Sequence, residues 1–400
     1  MVAMSPDEAQ RGTATNELFD ILRDGQPRTR SELAAMTGFS RSTVALKVDA
    51  LMRQDLVRPV GDAASTGGRP STQFVFNTSG RIVLAVDVGA SHVKVAIADL
   101  LGTTLAEDSA EIEVTAGPEA VLAWVETSGS ALIAAAGKDP RDLLAIGVGV
   151  PGPVEHSTGR PINPPIMPGW NRYDVAGRLH LHFGAPVLVD NDVNIMALGE
   201  RALAWPAVEH MIFVKVATGI GSGVISSGEL QRGAQGSAGD IGHIYVSRGS
   251  QILCKCGNRG CLEALASGPA IARALSARSI GAATSQEVVE LVRQGNIDAI
   301  QAVRQAGRDI GEVLTACVSL INPSVIVIGG SMAQAGEHLI AGVREMVYSR
   351  SMPLATEHLT ITQSKAGAQA AILGASMLAI QFAFSPERVE QVVLSSRLRA

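Results

Sequence analysis

The chain has 400 residues, enough for two or three domains, and its 33 Lys and Arg residues against 38 Asp and Glu residues give a formal net charge of −5 at pH 7. Hydrophobic residues make up 46% of the sequence, which excludes a disordered chain, and the acidic balance confines any nucleic-acid role to a local basic patch. Four cysteines exclude a disulfide-stapled scaffold and predict a reducing, cytoplasmic environment.

Membrane association is not expected from the sequence. Its first residues lack the basic and apolar pattern of a signal peptide. The longest uncharged run, 313–336, is interrupted by Asn322-Pro323 and Gly329-Gly330, so it predicts a helix end, a turn and a buried strand.

Residues 1–78 predict a winged helix-turn-helix domain that binds DNA. Ser31 is predicted to cap a short helix ending at Gly38, and Ser40 to cap a second helix that would serve as the recognition helix. A glycine-rich segment before residue 70 predicts the tip of a β-wing. The side chains predicted to contact DNA are cationic or hydroxyl donors: Arg30, Ser40, Arg41, Ser42, Thr43, Lys47 and Arg69.

Charge supports this interpretation of the N-terminal region. Between Arg28 and Arg69, seven basic residues face four acidic residues, a local excess of three positive charges in an acidic chain. The alternative is a small helical dimerisation domain with a solvated charged face. The spacing of the two capped helices and the glycine-rich segment favours DNA binding.

After residue 80, apolar runs typical of buried strands alternate with helical patterns, which predicts α/β layers with largely parallel strands. Three of these strands end in glycine turns whose backbone N–H groups could bind phosphate, with a carboxylate available for magnesium or water in the first. Glycine turns are also common at strand ends without a ligand, and the likeness of the first two suggests two related halves. The residues concerned are Asp87, Gly89 and Ser91, then Thr218, Gly219 and Gly221, and finally Gly329 and Gly330.

Polar residues at another strand end predict a sugar site. Asn191 and Asp192 could hydrogen-bond vicinal hydroxyls, and Asp192 could accept a proton from an attacking alcohol. Asp240, His243 and Glu263 would add further hydrogen-bonding groups.

Three cysteines within eight residues, together with one upstream histidine, predict a metal site. The ligands would be His243, Cys254, Cys256 and Cys261, a Cys3His set that suits structural zinc in tetrahedral coordination. The second ring nitrogen of His243 would then remain available to a ligand. A redox-sensing dithiol is the alternative.

Residues 80–385 resemble the ROK family of sugar kinases and sugar-responsive repressors in the motifs DVGAS, VGVPGPV, NDVN, ATGIGSG, GDIGH, CKCGNRGCLE and VIVIGGS. The resemblance implies an α/β chain in which a winged helix-turn-helix precedes a two-lobed, actin-like or hexokinase-type ATPase fold. The first lobe would span 80–191 with a C-terminal helix, 367–385, packing back on it. The second lobe would span 192–366 and contain the zinc site, and 386–400 would form a tail.

The resemblance also assigns roles to residues. It implies that Asp192 is the catalytic base if the chain is a kinase, and that the sugar contacts Asn191, Asp192, Asp240, His243 and Glu263. Departures from the family pattern weaken the kinase interpretation: Ala90-Ser91 and His92 in the first turn, Ser222 in the second, and Asp240 in place of Glu.

The fused DNA-binding domain is typical of the family's repressors. The leading hypothesis is therefore a sugar-responsive transcriptional regulator whose expected partners are double-stranded operator DNA, a sugar or sugar-phosphate effector, and further copies of the chain in a homodimer or tetramer. The alternative is an ATP- and Mg-dependent sugar kinase of the glucokinase or N-acetylhexosamine kinase type. A third hypothesis is a metal- or redox-sensing regulator that uses the cysteine cluster.

Overall fold

A computed structural model of the chain describes residues 17–19, 21–62, 71–385 and 388. Arg69 and the predicted wing tip lie outside the described residues, as does the C-terminal tail apart from residue 388. None of the helices in the described part of the chain combines the length and apolar character that a membrane span requires.

The N-terminal region contains two short helices and a small antiparallel sheet with the order β1-β3-β2. The described residues 17–19 and 21–22 are helical and precede the elements β1 (Arg28–Thr29), α1 (Arg30–Thr37), α2 (Arg41–Arg53), β2 (Val57–Asp62) and β3 (Thr72–Phe76). The helix-turn-helix expected from the sequence is present. Its core is apolar and includes Leu18, Leu33, Val44, Leu51 and Phe74.

The predicted cap of α1 is wrong by two residues, whereas the cap of α2 is confirmed. Thr29, not Ser31, caps α1, because the Thr29 side chain accepts from the Glu32 N–H while the Glu32 carboxylate accepts from the Thr29 N–H. This reciprocal capping box satisfies two backbone donors, which Ser31 inside the first turn could not do. The side chain of Ser40 caps α2 by accepting from the Thr43 N–H.

The rest of the chain is organised around two five-stranded sheets with the same topology. When the strands of each sheet are numbered 1 to 5 along the chain, their order across the sheet is 3-2-1-4-5. The order is β6-β5-β4-β7-β10 in the first sheet and β13-β12-β11-β14-β15 in the second. The first three strands pair antiparallel and the last two join in parallel. The expectation of two related halves is therefore confirmed, but that of largely parallel strands is wrong, because short hairpins connect the first three strands of each sheet.

The strands of the first sheet are β4 (Ile82–Val88), β5 (Val93–Ala98), β6 (Thr104–Ala110), β7 (Leu143–Val150) and β10 (Val187–Asn191). A small hairpin consists of β8 (Val154–Glu155) and β9 (Arg160–Pro161). The strands of the second sheet are β11 (Met211–Val216), β12 (Ile220–Ser226), β13 (Glu229–Gln231), β14 (Val325–Gly329) and β15 (Thr360–Gln363).

Helices cover these sheets. Those that follow the first sheet's strands are α3 (Pro118–Ala135), α4 (Val175–Phe183) and α5 (Asp192–Ala204). The remaining helices are α6 (Leu262–Ala266), α7 (Gly268–Ser276), α8 (Ser285–Arg293), α9 (Ile297–Ile321), α10 (Glu337–Arg350), α11 (Pro353–Thr356) and α12 (Ala370–Ala383).

Two helices, α5 and α12, connect the sheets. They pack on each other, while α12 contacts β4 and β7 of the first sheet and α5 contacts β11 and β12 of the second. Glycines allow their close approach: a Cβ atom at Gly374 would lie 1.6 Å from the Ile195 carbonyl oxygen, and one at Gly199 would lie 2.0 Å from the Ala370 carbonyl oxygen. Helix α12 thus packs on the first sheet and α5 on the second.

The N-terminal region also packs on this framework. Three aromatic rings meet edge to face, with centroid separations of 5.5 Å for Phe19–Phe76, 4.9 Å for Phe19–Phe384 and 5.9 Å for Phe76–Phe384. Because Phe384 follows α12 directly, the core of the N-terminal region is continuous with α12 and the first sheet. The interaction between such aromatic rings stabilises the fold by more than the burial of their apolar surface alone would.

Candidate functional site

Helix α2 presents polar groups at its first turn. Arg41 and Ser42 are exposed and Thr43 is half-buried, next to the capping Ser40. The hydroxyl of Ser40 lies 2.8 Å from those of both Ser42 and Thr43. The start of the helix therefore carries donors where a recognition helix needs them.

One of the cations predicted to face DNA is buried, and another forms contacts within the N-terminal region. Lys47 was expected to be exposed, but it is only 5% exposed, because it lies three residues after Val44 and four before Leu51 on the face of α2 that packs on the core. Arg30 forms an ion pair with Asp49, and its guanidinium carbon lies 4.9 Å from the ring centroid of Phe74. Arg30, which begins α1, therefore contacts both α2 and the strand β3.

Between the two sheets, Asp192 begins α5 directly after β10. The residue before it, Asn191, caps the helix: its Oδ1 accepts from the Val193 N–H at 2.9 Å, and its Nδ2 donates to the Gly152 carbonyl oxygen at 2.9 Å. Asn191 thus fixes the orientation of the strand end and of the helix start. Asp192 itself is buried, with a side chain 6% exposed.

The partner of Asp192 is a lysine that the sequence analysis missed. Lys215 lies in β11 opposite Gly221 and Gly329, and its ammonium donates to the Asp192 carboxylate. A signal was available, since Lys215 is the only charged residue in the apolar run of β11. A lone charge within a buried strand needs a partner.

Burial and charge act in opposite directions on this pair. Burial raises the pKa of the Asp192 carboxyl, and the Lys215 ammonium limits that rise. Burial acts to lower the pKa of Lys215, but attraction to Asp192 and Asp87 outweighs it, so the pKa of Lys215 is raised and the lysine remains charged.

The first glycine turn lies close to this ion pair. Nε2 of His92 lies 3.3 Å from Oδ2 of Asp87, and the hydrogen bond to Asp87 raises the pKa of His92. The imidazole covers the turn, since a Cβ atom at Gly89 would lie 2.1 Å from the ring. Asp87 also acts electrostatically on Asp192 and Lys215, so four titratable groups share this region. Ser91, also in this turn, is exposed.

The second glycine turn is the hairpin loop between β11 and β12. Oε2 of Glu263 accepts from the Ile220 N–H at 3.1 Å and lies 2.5 Å from where a Cβ atom of Gly219 would be. Thr218 is exposed at the tip of the loop. Glu263 therefore contacts the backbone of this turn closely, and a side chain at 219 would displace its carboxylate from this position.

Strand β12 links this turn to the other predicted sugar ligands. On one side, a Cβ atom at Gly221 would lie 3.2 Å from Val193, next to Asp192; on the other, one at Gly242 would lie 2.1 Å from the Ile220 carbonyl oxygen. Neighbouring His243 is half-buried and Asp240 is exposed. The scattered residues of the predicted site are thus grouped around β12.

The third glycine turn follows β14. A Cβ atom at Gly329 would lie 2.3 Å from the Phe213 ring, and one at Gly330, where φ is 84°, would lie 2.5 Å from the Val216 carbonyl oxygen. Close packing against β11 accounts for both glycines. The turn also lies beside Lys215, which is opposite Gly329 in the sheet.

An ion pair that the sequence analysis also missed joins the two sheets. Nε of Arg232, just after β13, donates to Oδ2 of Asp190 in β10 at 2.6 Å, and Asn194 donates to the other carboxylate oxygen at 2.7 Å. The Arg232 and Asp190 side chains are only 19% and 7% exposed. The same loop approaches the β8 strand, since a Cβ atom at Gly236 would lie 2.2 Å from the Val154 carbonyl oxygen.

The predicted metal ligands converge. The ligand atoms of His243, Cys254, Cys256 and Cys261 all lie within 4.8 Å of one another. Cys254 Sγ is 3.7 Å from His243 Nδ1, and Cys256 Sγ is 3.6 Å from Cys261 Sγ. Tetrahedral bonds of about 2.0–2.3 Å require ligand–ligand separations of about 3.6–3.8 Å. The two separations given above match this range, so the four residues could hold a metal ion.

The chain is similar to known proteins in both sequence and fold. The family model described as the ROK family matches residues 83–382. The chain is 29% identical over 366 residues to the xylose repressor of Bacillus spizizenii strain W23, covering 91% of this chain and 94% of that protein.

Two solved structures are similar as well. One is a ROK family transcriptional regulator, a homologue of the E. coli MLC protein, with a TM-score of 0.82, 23% identity, and coverage of 97% of this chain and 100% of that chain. The other is a ROK family glucokinase from Streptomyces griseus in complex with glucose and AMPPNP, with a TM-score of 0.66, 25% identity, and coverage of 75% and 99%. The first matches nearly the whole chain, whereas the second covers three quarters of it.

Proposed function

The chain belongs to the ROK family, and on that premise we propose that it is a sugar-responsive transcriptional repressor that binds operator DNA in the cytoplasm. The observation that carries the proposal is the fusion of a helix-turn-helix, with an exposed Arg41 at the start of α2, to a two-sheet body whose sheets are joined by the polar pairs Lys215–Asp192 and Arg232–Asp190. The similarity to a xylose repressor over 91% of the chain supports it, because that match extends beyond the part shared with the glucokinase.

The effector is proposed to be a sugar or sugar phosphate bound in the cleft. Hydrogen-bonding groups for its hydroxyls would come from Asn191, Asp192, Asp240, His243 and Glu263. Since a relative is named xylose repressor, D-xylose is the first ligand to test. Discrimination between sugars depends on buried polar groups that an incorrect sugar would leave unpaired.

Zinc is the proposed metal, held by His243, Cys254, Cys256 and Cys261. With four protein ligands the ion would have no open position, so its role would be structural. Because Nδ1 of His243 faces the cysteines, its Nε2 is left to point elsewhere and to contact the effector. The metal would thereby fix the orientation of one effector ligand.

Coupling to DNA is proposed to run through α12. This helix packs on α5, which begins with Asp192, and is followed by Phe384, which packs on Phe19 and Phe76 of the DNA-binding region. A sugar that favours one arrangement of the two sheets would then change the position of the DNA-binding region. In a homodimer or tetramer, this would alter the fit of paired recognition helices to two half-sites.

The proposal is tested by DNA retardation. The zinc-loaded full chain is mixed with DNA from its own upstream region at several salt concentrations, with D-xylose, D-glucose, N-acetyl-D-glucosamine and their phosphates as effectors. We expect retardation that weakens steeply with salt and is reversed by one of these sugars. Absence of retardation at low salt would refute the proposal.

A matched pair of variants shows whether α2 contacts DNA. Arg41→Ala is expected to weaken binding and to reduce the salt slope by about one. Arg141→Ala, which removes an exposed cation paired with Asp139 in the body, should leave DNA binding unchanged. Equal effects of the two substitutions would argue against α2 as the recognition helix.

The alternative function is an ATP- and Mg-dependent sugar kinase. It is favoured by the retained Asp192 and by the glycine turns, whose phosphate-binding residues would be Asp87, Gly89, Ser91, Thr218, Gly219, Gly221, Gly329 and Gly330. A coupled assay of ADP formation over the same sugars tests it. Turnover that is abolished by Asp192→Asn while sugar binding persists would establish the kinase.

A further inference from the structure

Lys215 places a cation directly on Asp192, the residue that would act as the general base of a kinase. A base must accept a proton from the hydroxyl it activates, so its carboxylate needs a free lone pair and sufficient basicity. Here the Lys215 ammonium donates to the Asp192 carboxylate. The pair is buried, with side chains only 23% and 6% exposed, so solvent screens it little.

Charged groups surround Asp192 on several elements. Lys215 approaches it from β11, Asp87 from the end of β4, and His92 from the following turn. Asp190, two residues before Asp192, has its negative charge balanced by an ion pair with Arg232. Of these neighbours, Lys215 is the cation in direct contact with Asp192, whereas the hydrogen bond of His92 goes to Asp87.

We propose that Lys215 is a positioning residue for the effector: its ammonium holds the Asp192 carboxylate ionised and in one orientation, so that Asp192 accepts a hydrogen bond from a sugar hydroxyl without removing its proton. The inference rests on the proposed function, because it takes a sugar as the ligand. It assigns to this cleft the recognition of an intact hydroxyl group. A hydrogen bond to an ionised acceptor is about twice as strong as one between neutral groups.

Removal of the ammonium predicts a specific defect. Without Lys215, Asp192 would remain buried beside Asp87, and both burial and the neighbouring negative charge favour its protonated form. Protonation would replace the charged acceptor by a neutral carboxyl group. Sugar binding would then depend on pH more steeply than in the wild-type protein, in which the Lys215 ammonium opposes protonation of Asp192.

The test compares the full-length wild-type protein with Lys215→Met and Lys138→Met. Methionine replaces the four-carbon stem of lysine by an unbranched chain of the same number of atoms and removes the ammonium, and Lys138, which donates to the Ser79 carbonyl, serves as the control. Isothermal titration with the sugar that releases DNA, D-xylose first, is carried out from pH 5.5 to 8.5. Circular dichroism at each pH checks that the variants are folded.

We expect Lys215→Met to bind roughly tenfold more weakly near pH 6 than near pH 8.5, and the wild type and Lys138→Met to change much less. Adding Asp192→Asn to Lys215→Met should abolish the pH dependence, since no titrating carboxyl then remains at this position. These two results together support the positioning role.

One result would overturn the inference alone: a pH profile of Lys215→Met parallel to that of the wild type, that is, a loss of affinity by the same factor at every pH. This would mean that Lys215 contributes only to packing. If the wild-type protein binds none of the sugars in the panel, the proposed function fails as well, and the inference fails with it.

Discussion

The ion pair between Arg232 and Asp190 offers the sharpest test of how the two sheets are held together. Asp190 is in β10 of the first sheet and Arg232 follows β13 of the second, and both side chains are largely buried. The substitution Arg232→Met keeps much of the side-chain volume but leaves a buried carboxylate without its cation. Removing one partner of a buried ion pair typically costs about 3–5 kcal/mol.

Part of that cost is offset in this structure. Asp190 still accepts from Asn194 Nδ2 and from the Asn191 N–H, each at 2.7 Å, so we expect the free energy of unfolding to fall by about 2–3 kcal/mol. Opening of the cleft would return Asp190 to water, so the variant should also bind the effector sugar more weakly. Urea unfolding followed by tryptophan fluorescence measures the first effect and isothermal titration the second.

The double variant Arg232→Met with Asp190→Asn isolates the charge. It removes the unpaired carboxylate, so it should recover a large part of the lost stability, and the double-mutant cycle gives the interaction energy. If Arg232→Met unfolds within about 0.5 kcal/mol of the wild type, or if the double variant is no more stable than the single one, the reasoning is refuted.

Three further predictions concern the metal, the first turn and the coupling. Cys254→Ser should lower the zinc content from about one ion per chain and should lower the melting temperature. Cys317→Ser, outside the cluster, should retain the ion. Equal zinc contents in the two variants would contradict the assignment. The hydrogen bond to Asp87 raises the pKa of His92, so the ionised pair is present at low pH and is lost as the pH rises through that raised value. NMR titration of His92 should therefore show a midpoint above that of an ordinary histidine. The substitution Asp87→Asn should lower this midpoint. Phe384→Ala should reduce the effect of the sugar on DNA affinity while sugar affinity is kept, as measured by retardation and titration; an unchanged sugar effect would exclude this route.

Much of the secondary structure could be predicted from the sequence, because local periodicity and caps decide it. The helix predicted to end at Gly38 has its C-cap at that residue, and Ser40 caps the next helix as predicted. The grouping of His243 with the three cysteines was also predictable, since the cysteines lie within eight residues of one another.

The tertiary structure decided what depends on partners distant in sequence. The sequence predicts that Lys47 contacts DNA, but the packing of α2 buries it. Nothing adjacent in the sequence shows that Lys215 lies beside Asp192, which is 23 positions earlier. The same holds for Arg232 and Asp190, which are 42 positions apart. A sequence shows which groups carry charge, but their protonation and role depend on burial and on the opposite charges within a few ångströms, and only the folded chain brings these together.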